Sequence, residues 1–421
     1  MRNSRPSYGW VIVAVSFVLL VGSFGTQLCF GLFLKPLAEE FGWSRAAVSV
    51  AMSLLMAVSG LMGVAMGRVT DRWGPRAAIA PGVVIGAASF VLMSRIDSLW
   101  QFYVLFGVGG GILAGCGYTP SVTTVSKWFD AGRRTMAIGV ALLGIIVGQM
   151  VLSPIVSGVI EGSGWRTAWV ILGLVVFVCG LPALVLIGRK PEVDGAGETP
   201  TTLGGVDAPT PPRGLSTGEA AKTSAFWILV LAGAVLGLGY YAFASHVVPY
   251  ATDVGISSST AALILTVSSI GGIAGTLLAW MIARTLGYRW TLVLLTALNA
   301  VALLLFVFAG SAWVFYLLSV LVGFAFSATV PVRMGVTPPL FGLKAIGALL
   351  GLTALAFSVG AIVGPFLAGY IFDSTGGYDL AFLIFGVLLL VGAVALYFLR
   401  APRTGRQPGR SPIWRAGDGL E

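Results

Sequence analysis

Charge is what this sequence lacks. Only 10% of its 421 residues are Asp, Glu, Lys or Arg, against roughly 25% in soluble domains. A chain that is also 57% hydrophobic cannot give itself a surface that water will wet. Histidine is nearly missing too: His246 is the single one, which excludes a His-rich metal centre. The three cysteines, Cys29, Cys116 and Cys179, all fall inside apolar runs and offer neither a disulfide framework nor metal-ligand spacing. No nucleophile–base pair stands out, so the chain does not read as an enzyme. The glycine run from Gly107 to Gly117 has no preceding strand and is no nucleotide loop. No cofactor, no metal and no ATP drive are expected.

Long apolar runs are what the sequence has. A helix needs about 20 apolar residues to span a bilayer, and twelve stretches qualify: 9–34, 45–67, 77–95, 99–126, 135–160, 167–188, 224–249, 257–283, 289–309, 312–339, 344–372 and 379–400. The fold class is an all-α polytopic membrane protein with twelve transmembrane helices. The expected organisation is a six-helix bundle over 1–188, a linker over 189–223, a second six-helix bundle over 224–400 and a tail over 401–421. The linker, with Pro209, Pro211 and Pro212, reads as solvated. Arg2 and Arg5 precede an apolar run too long for a signal h-region, so that run reads as the first membrane helix.

A net charge of +9 raises nucleic acid as a partner, and the distribution of the charge removes it. Alternate loops collect nearly all Lys and Arg: Arg68, Arg72, Arg76, Lys127, Arg133, Arg134, Arg189, Lys190, Arg213, Lys222, Arg284, Arg289, Lys344 and those at both termini. The opposite loops hold only Lys35, Arg45, Arg95 and Arg166. By the positive-inside rule both termini are cytoplasmic, in a cell inner (plasma) membrane, with the bilayer as the obvious partner.

The chain also repeats itself. Gly67-Arg68-Val69-Thr70-Asp71-Arg72-Trp73-Gly74-Pro75-Arg76 has a blurred copy over 279–289, with Ala283 set in the aspartate position. Pro36 and Pro249, Gly42 and Gly255, and Ser44 and Ser257 are each 213 residues apart. Six helices per copy bring both copies into the membrane from the same side, as parallel repeats.

These residues carry a resemblance. Gly67, Asp71, Arg72, Gly74 and Arg76 look like the loop 2–3 motif of the major facilitator superfamily. Trp128-Phe129, Arg133-Arg134, Ala137-Ile138-Gly139, Gly144 and Gly148 resemble a signature of its monocarboxylate transporter family, and Ser7-Tyr8-Gly9-Trp10 matches another in part. Leu28 stands where that family often has a proton-coupling Lys, and Gly275 where it often has a carboxylate-gripping Arg. The resemblance implies a monomeric secondary transporter working by alternating access, its cavity lined by helices 1, 4, 7 and 10. Candidate lining residues are Gln27 and Leu28, Tyr118, and Tyr240 and Tyr241. It also implies that helix 2 packs on helix 11, and helix 5 on helix 8, across the halves.

Asp71 and Arg72 end helix 2. One reading makes a gate of them, with Asp71 at a helix N-terminus and paired to Arg133 or Arg134; the other is a solvated turn. Small-residue pairs at Gly63/Gly67, Gly144/Gly148, Gly271/Gly275 and Gly360/Gly364 let helices approach closely, either at the sliding contacts between halves or in ordinary packing. Gln149 and Asn299 are polar enough to join helices. The aromatics Trp10, Trp100 and Trp313 suit the interfacial belt.

Arg333 is the sharpest signal. It lies eight residues before Phe341, about 12 Å from the helix end at 1.5 Å per residue. A charge so deep costs at least ~2.5 kcal/mol on insertion scales, and no Asp or Glu falls deep in any predicted helix. It either binds an anion, since guanidinium matches a carboxylate fork, or snorkels, or caps carbonyls freed by Pro331. His246, three residues before Pro249, could carry a proton or touch substrate. It could equally be a structural histidine bonded to Tyr250 or Asp253. The expected cargo is a small carboxylate, travelling with or without protons. The rivals are an exporter of drugs or other hydrophobic compounds, which usually needs a buried carboxylate, and a membrane sensor or scaffold, which would carry a larger soluble domain.

Overall fold

The computed structural model describes residues 6–129, 131–187, 214–342 and 344–400. The expectations for Arg2, Arg5, Arg189, Lys190, Arg213, the linker up to 213 and the tail after Arg400 lie outside the described residues. Long apolar helices fill the rest. They are α1 (Tyr8–Phe41), α2 (Arg45–Trp73), α3 (Pro75–Arg95), α4 (Leu99–Trp128), a merged stretch (Met136–Leu186), α7 (Ser224–Asp253), α8 (Ser258–Leu286), α9 (Tyr288–Phe308), α10 (Ala312–Phe341), α11 (Ile346–Thr375) and α12 (Asp379–Tyr397). The merged stretch has 51 residues. Straight, it would run about 76 Å, against a hydrocarbon core of about 30 Å. It turns back at Gly164, φ 81° and ψ 161°, a conformation essentially closed to other residues. Residues up to 163 form α5 and 165–186 form α6, which gives the twelve crossings expected.

The linker expectation needs one correction. Gly214 pairs with Gly342, the Leu215 amide donates to the Phe341 carbonyl at 2.8 Å, and Ser216 and Glu219 cap a short helix, Thr217–Ala221. The last ten residues assigned to the linker are therefore docked against the end of α10. Ser216 followed three residues later by Glu219 is a capping box, legible in the sequence.

The internal repeat is built into the contacts. Tyr103 of α4 donates to the Ala47 carbonyl of α2 at 2.9 Å, and Tyr316 of α10 donates to the Thr260 carbonyl of α8 at 2.9 Å. Each residue of the second pair lies 213 positions after its counterpart in the first. Arg76 donates to carbonyls of Val185 and Ile187 at the end of α6, and Arg289 to the Tyr397 carbonyl at the end of α12. The same offset relates Gly74 to Gly287, both at positive φ (91° and 80°). That pairing sets Arg284, not Ala283, opposite Asp71.

Within each set of six helices the pairings repeat: α1 packs on the α5–α6 hairpin and α7 on α11, while α2 packs on α4 and α8 on α10. Between the sets, α2 meets α11 and the α5–α6 hairpin meets α8. The glycine pairs do not serve these cross-set contacts. A Cβ on Gly144 or Gly148 would strike Phe17 and Val21 of α1; on Gly360 or Gly364, Ala234 and Leu238 of α7; on Gly271 or Gly275, Val320 and Phe324 of α10; on Gly63, Thr119 of α4. All four pairs bind a helix to a partner of its own set. Spacing marks a close-packing face but says nothing of which helix lies against it. The close approaches between sets fall elsewhere, at Gly31 against the Ser245 carbonyl and at Gly369 against the Arg45 backbone.

Candidate functional site

Arg333 is only 7% exposed, in the α10 half nearer Phe341. It does not snorkel. Its guanidinium lies 5.4 Å from the centre of the Phe357 ring on α11 and against Gly233 of α7, where a Cβ would meet Nη1 at 2.2 Å. Glycine at 233 is what admits the charge between the helices. Among the described residues no group accepts a hydrogen bond from Nη1, and none of the ion pairs includes Arg333. The reading in which it caps carbonyls freed by Pro331 finds no support at that nitrogen.

Above Arg333 lies a group of half-buried rings. Phe357 meets Tyr241 edge-on at 6.1 Å and Phe326 at 6.2 Å; Phe326 stacks on Tyr240 at 3.5 Å. Tyr118 of α4, 36% exposed, lies on the same side as Tyr241 and meets Phe24 of α1 at 5.9 Å. The second-set rings thus begin at Arg333, and the first-set rings approach them at Tyr241. Of the predicted lining residues, Tyr118, Tyr240 and Tyr241 are brought together here. Gln27 and Leu28 are buried, and the Gln27 amide donates to the Gly110 carbonyl at 3.2 Å. Sequence reasoning missed Gly233, Phe24, Phe326 and Phe357, because a glycine or aromatic in an apolar helix has no signal separating a lining position from packing.

At the other end of the bundle the two sets are tied by a polar knot. Arg45, the first residue of α2, reaches both oxygens of Asp253 at the end of α7, at 2.5 and 3.0 Å. It also donates to Tyr378 Oη at 2.8 Å and stacks on Phe372, 3.7 Å from the ring centre. Lys35 shares Asp253 at 3.1 Å. The Asp373 carboxylate of α11 accepts the Arg45 and Ala46 amides at 2.9 and 2.8 Å, capping a helix of the opposite set. Ser53 donates to the Ile362 carbonyl at 2.5 Å. Midway, Ser269 of α8 donates to Gln149 of α5 at 3.1 Å.

His246 belongs to this knot. It is fully buried and bonds neither Tyr250 nor Asp253, correcting that expectation: Tyr250 bonds Phe306 and Asp379, and Asp253 is held by Arg45. Its Nε2 lies 2.9 Å from the Pro365 carbonyl and 3.1 Å from Ser49 Oγ. Ser49 spends its own hydrogen on the Arg45 carbonyl, so both neighbours of Nε2 accept and Nε2 carries the hydrogen. Nδ1, 3.0 Å from Tyr378 Oη, then accepts from that hydroxyl. The neutral ring is satisfied on both sides and joins α2 to α11.

The Asp71 turn is arranged differently from the expected gate. Asp71 pairs with Lys127 of α4 at 2.7 Å, not with Arg133 or Arg134. Both of those are exposed, and Arg134 donates to the Phe129 carbonyl at 3.3 Å. Arg72 lies over Trp73 at 5.3 Å. Asp71 and Lys127 both belong to the first set. Among the described residues, the hydrogen bonds and ion pairs that join the two sets lie from mid-bundle to the Arg45 end.

Two six-helix repeats joined along one bundle, with their cross-links toward one end, are the architecture of a membrane transporter. The sequence-family model described as Major Facilitator Superfamily matches residues 13–252 and 229–416, and the chain belongs to that superfamily, in a monocarboxylate-transporter-like branch. It is 30% identical to human monocarboxylate transporter 11 over 406 residues, spanning 92% of this chain and 82% of that protein. An uncharacterized MFS-type transporter of Bacillus subtilis, YcxA, is 25% identical over 419 residues, covering 95% of this chain and 94% of the relative. The fold is shared with a bacterial homolog of the human lysosomal transporter Spinster, solved in an inward-facing and occupied conformation. That match has a TM-score of 0.73 and 18% identity over 94% of this chain and 97% of the other.

Proposed function

We propose that this chain is a secondary active transporter of a small organic anion, a monocarboxylate, working by alternating access. The observation that supports it is Arg333: a guanidinium 7% exposed, deep in the bundle, with an unfilled donor at Nη1 among the described residues. Leaving such a donor unmatched is costly, and a carboxylate supplies both the acceptor and the countercharge. The described acidic residues do not compete for it, since they sit at helix ends: Glu39, Glu40, Asp71, Asp97, Glu161, Glu219, Asp253, Asp373 and Asp379.

In this reading the two repeats, 1–188 and 224–400, move as bodies within one monomer, both termini face the cytoplasm of the plasma membrane, and the knot around Arg45 is the outer closure. The geometry is then the inward-facing half of the cycle. A proton accompanies the anion. Arg333 is the cargo receptor, and His246, in the outer closure, answers to conformation rather than to cargo.

The test is uptake of labelled carboxylates into proteoliposomes under an imposed pH gradient. Arg333→Ala abolishes uptake, Arg333→Lys restores part of it, and Gly233→Ala weakens apparent affinity by displacing the guanidinium. Undiminished uptake by Arg333→Ala would remove the receptor from the account.

A further inference from the structure

The same site carries information about the body of the cargo, on the reading that Arg333 holds its carboxylate. We infer that the cargo is an aryl carboxylate, a planar aromatic group joined to a carboxylate by a short arm, rather than a small hydroxy- or keto-acid.

The argument is geometric. Phe357 is in contact with Arg333 and also with Tyr241 and Phe326, so the rings begin where the charge ends. Tyr240 and Tyr241 lie seven and eight residues beyond Gly233 on α7, or about 11 Å further along the helix axis. That length accommodates a carboxylate, a one- or two-carbon arm and a six-membered ring. It exceeds a three-carbon acid, which, held at Arg333, would stop short of Tyr240 and Tyr241. The six rings of the site, Phe24, Tyr118, Tyr240, Tyr241, Phe326 and Phe357, are all part-exposed, unlike the fully buried Phe33, Phe90, Phe102 and Phe106 of the packing core.

Ring-lined sites also suit cations. Two observations oppose that here: the charge at the edge of the site is Arg333 itself, and the described carboxylates all lie at helix ends. Aromatic partners favour offset and edge-on geometries, the geometry Tyr241 and Phe357 already adopt toward each other, and their partial exposure leaves them able to add a planar guest. Tyr118 comes from the first set of helices and Tyr241 from the second, so a guest ring that reached both would touch both moving bodies.

The experiment is calorimetric binding to the purified full-length protein with four probes: phenylacetate, cyclohexylacetate, L-lactate and phenylacetamide. Phenylacetate is expected to bind roughly tenfold tighter than L-lactate, with cyclohexylacetate between them and phenylacetamide not measurable. Phe357→Leu and Tyr118→Leu each reduce the phenylacetate-to-lactate ratio several-fold, roughly what one aromatic contact contributes, while Arg333→Ala abolishes binding of both acids. Tyr118 is part-exposed, so its variant tests the inference even if Phe357→Leu fails to fold. Equal affinities for phenylacetate and L-lactate, both lost in Arg333→Ala, overturn the aryl assignment and leave the anion reading standing. Binding that survives Arg333→Ala, or phenylacetamide binding as tightly as phenylacetate, refutes the anion reading beneath it.

Discussion

Replacing Arg45 by alanine should open the outer end. The side chain makes a two-pronged contact to Asp253, one bond to Tyr378 and a stack on Phe372, and every partner lies on the opposite set of helices. All of this is lost when that end opens, so it acts directly on the balance between conformations. Charge-assisted bonds contribute about 1.5–3 kcal/mol each. Asp253 is 25% exposed, and surface pairs contribute far less. Counting the carboxylate fork once at about 1.5 kcal/mol and the stack at about 0.5 gives about 2 kcal/mol. At 1.4 kcal/mol per decade the closed-to-open ratio falls roughly 30-fold. The Asp373 cap on the α2 amides remains and limits the effect. Spin labels at Asp97→Cys and Gly310→Cys, on a background with the three native cysteines replaced by serine, report the separation of the two sets by double electron–electron resonance. The variant should gain a population at longer distance that the parent lacks. An unchanged distance distribution would mean that the knot is ornamental and that closure rests on apolar packing alone.

Three other perturbations separate packing from function. Gly360→Ala drives a methyl into the Ala234 carbonyl, 1.9 Å away, and should cost about 1–3 kcal/mol of thermal stability; Gly158→Ala, with open space around it, should change the melting temperature little, and equal shifts would discredit the packing argument. His246→Ala should leave carboxylate affinity within about twofold, since one decade needs about 1.4 kcal/mol of lost contact, while lengthening the outer distances; collapse of affinity would make it a cargo ligand. Asp71→Asn should change stability by under about 1 kcal/mol, because its pair with Lys127 is exposed on both sides and such pairs contribute little. A larger loss by thermal unfolding would mean the turn is a structural anchor.

The crossings were legible because bilayer thickness sets a length that any apolar run reveals. So was the repeat, which the 213-residue offset exposed before Tyr103 and Tyr316 were seen making equivalent bonds. The depth of Arg333 followed from counting residues. Its neighbours did not: Gly233 and Phe357 come from other helices, and helical spacing fixes a face without naming what lies against it. The glycine pairs marked close packing, and of their two readings the ordinary one holds: each meets a helix of its own set, which spacing alone could not decide. The partner of Asp71 was not legible, because several basic residues fall at the same end of the bundle and only the fold selects Lys127, in the last turn of α4, over Arg133 and Arg134. His246 was legible as a buried histidine only; its bonds to Ser49, Pro365 and Tyr378 join segments well over 100 residues apart.

The most direct measurement is a structure of the protein with 4-bromophenylacetate, in which anomalous scattering locates the bromine and the density locates the carboxylate. The account predicts the carboxylate within hydrogen-bonding distance, about 3 Å, of the Arg333 guanidinium, with the brominated ring among Tyr118, Tyr241 and Phe357. A carboxylate bound anywhere else in the bundle, with Arg333 untouched, would contradict it.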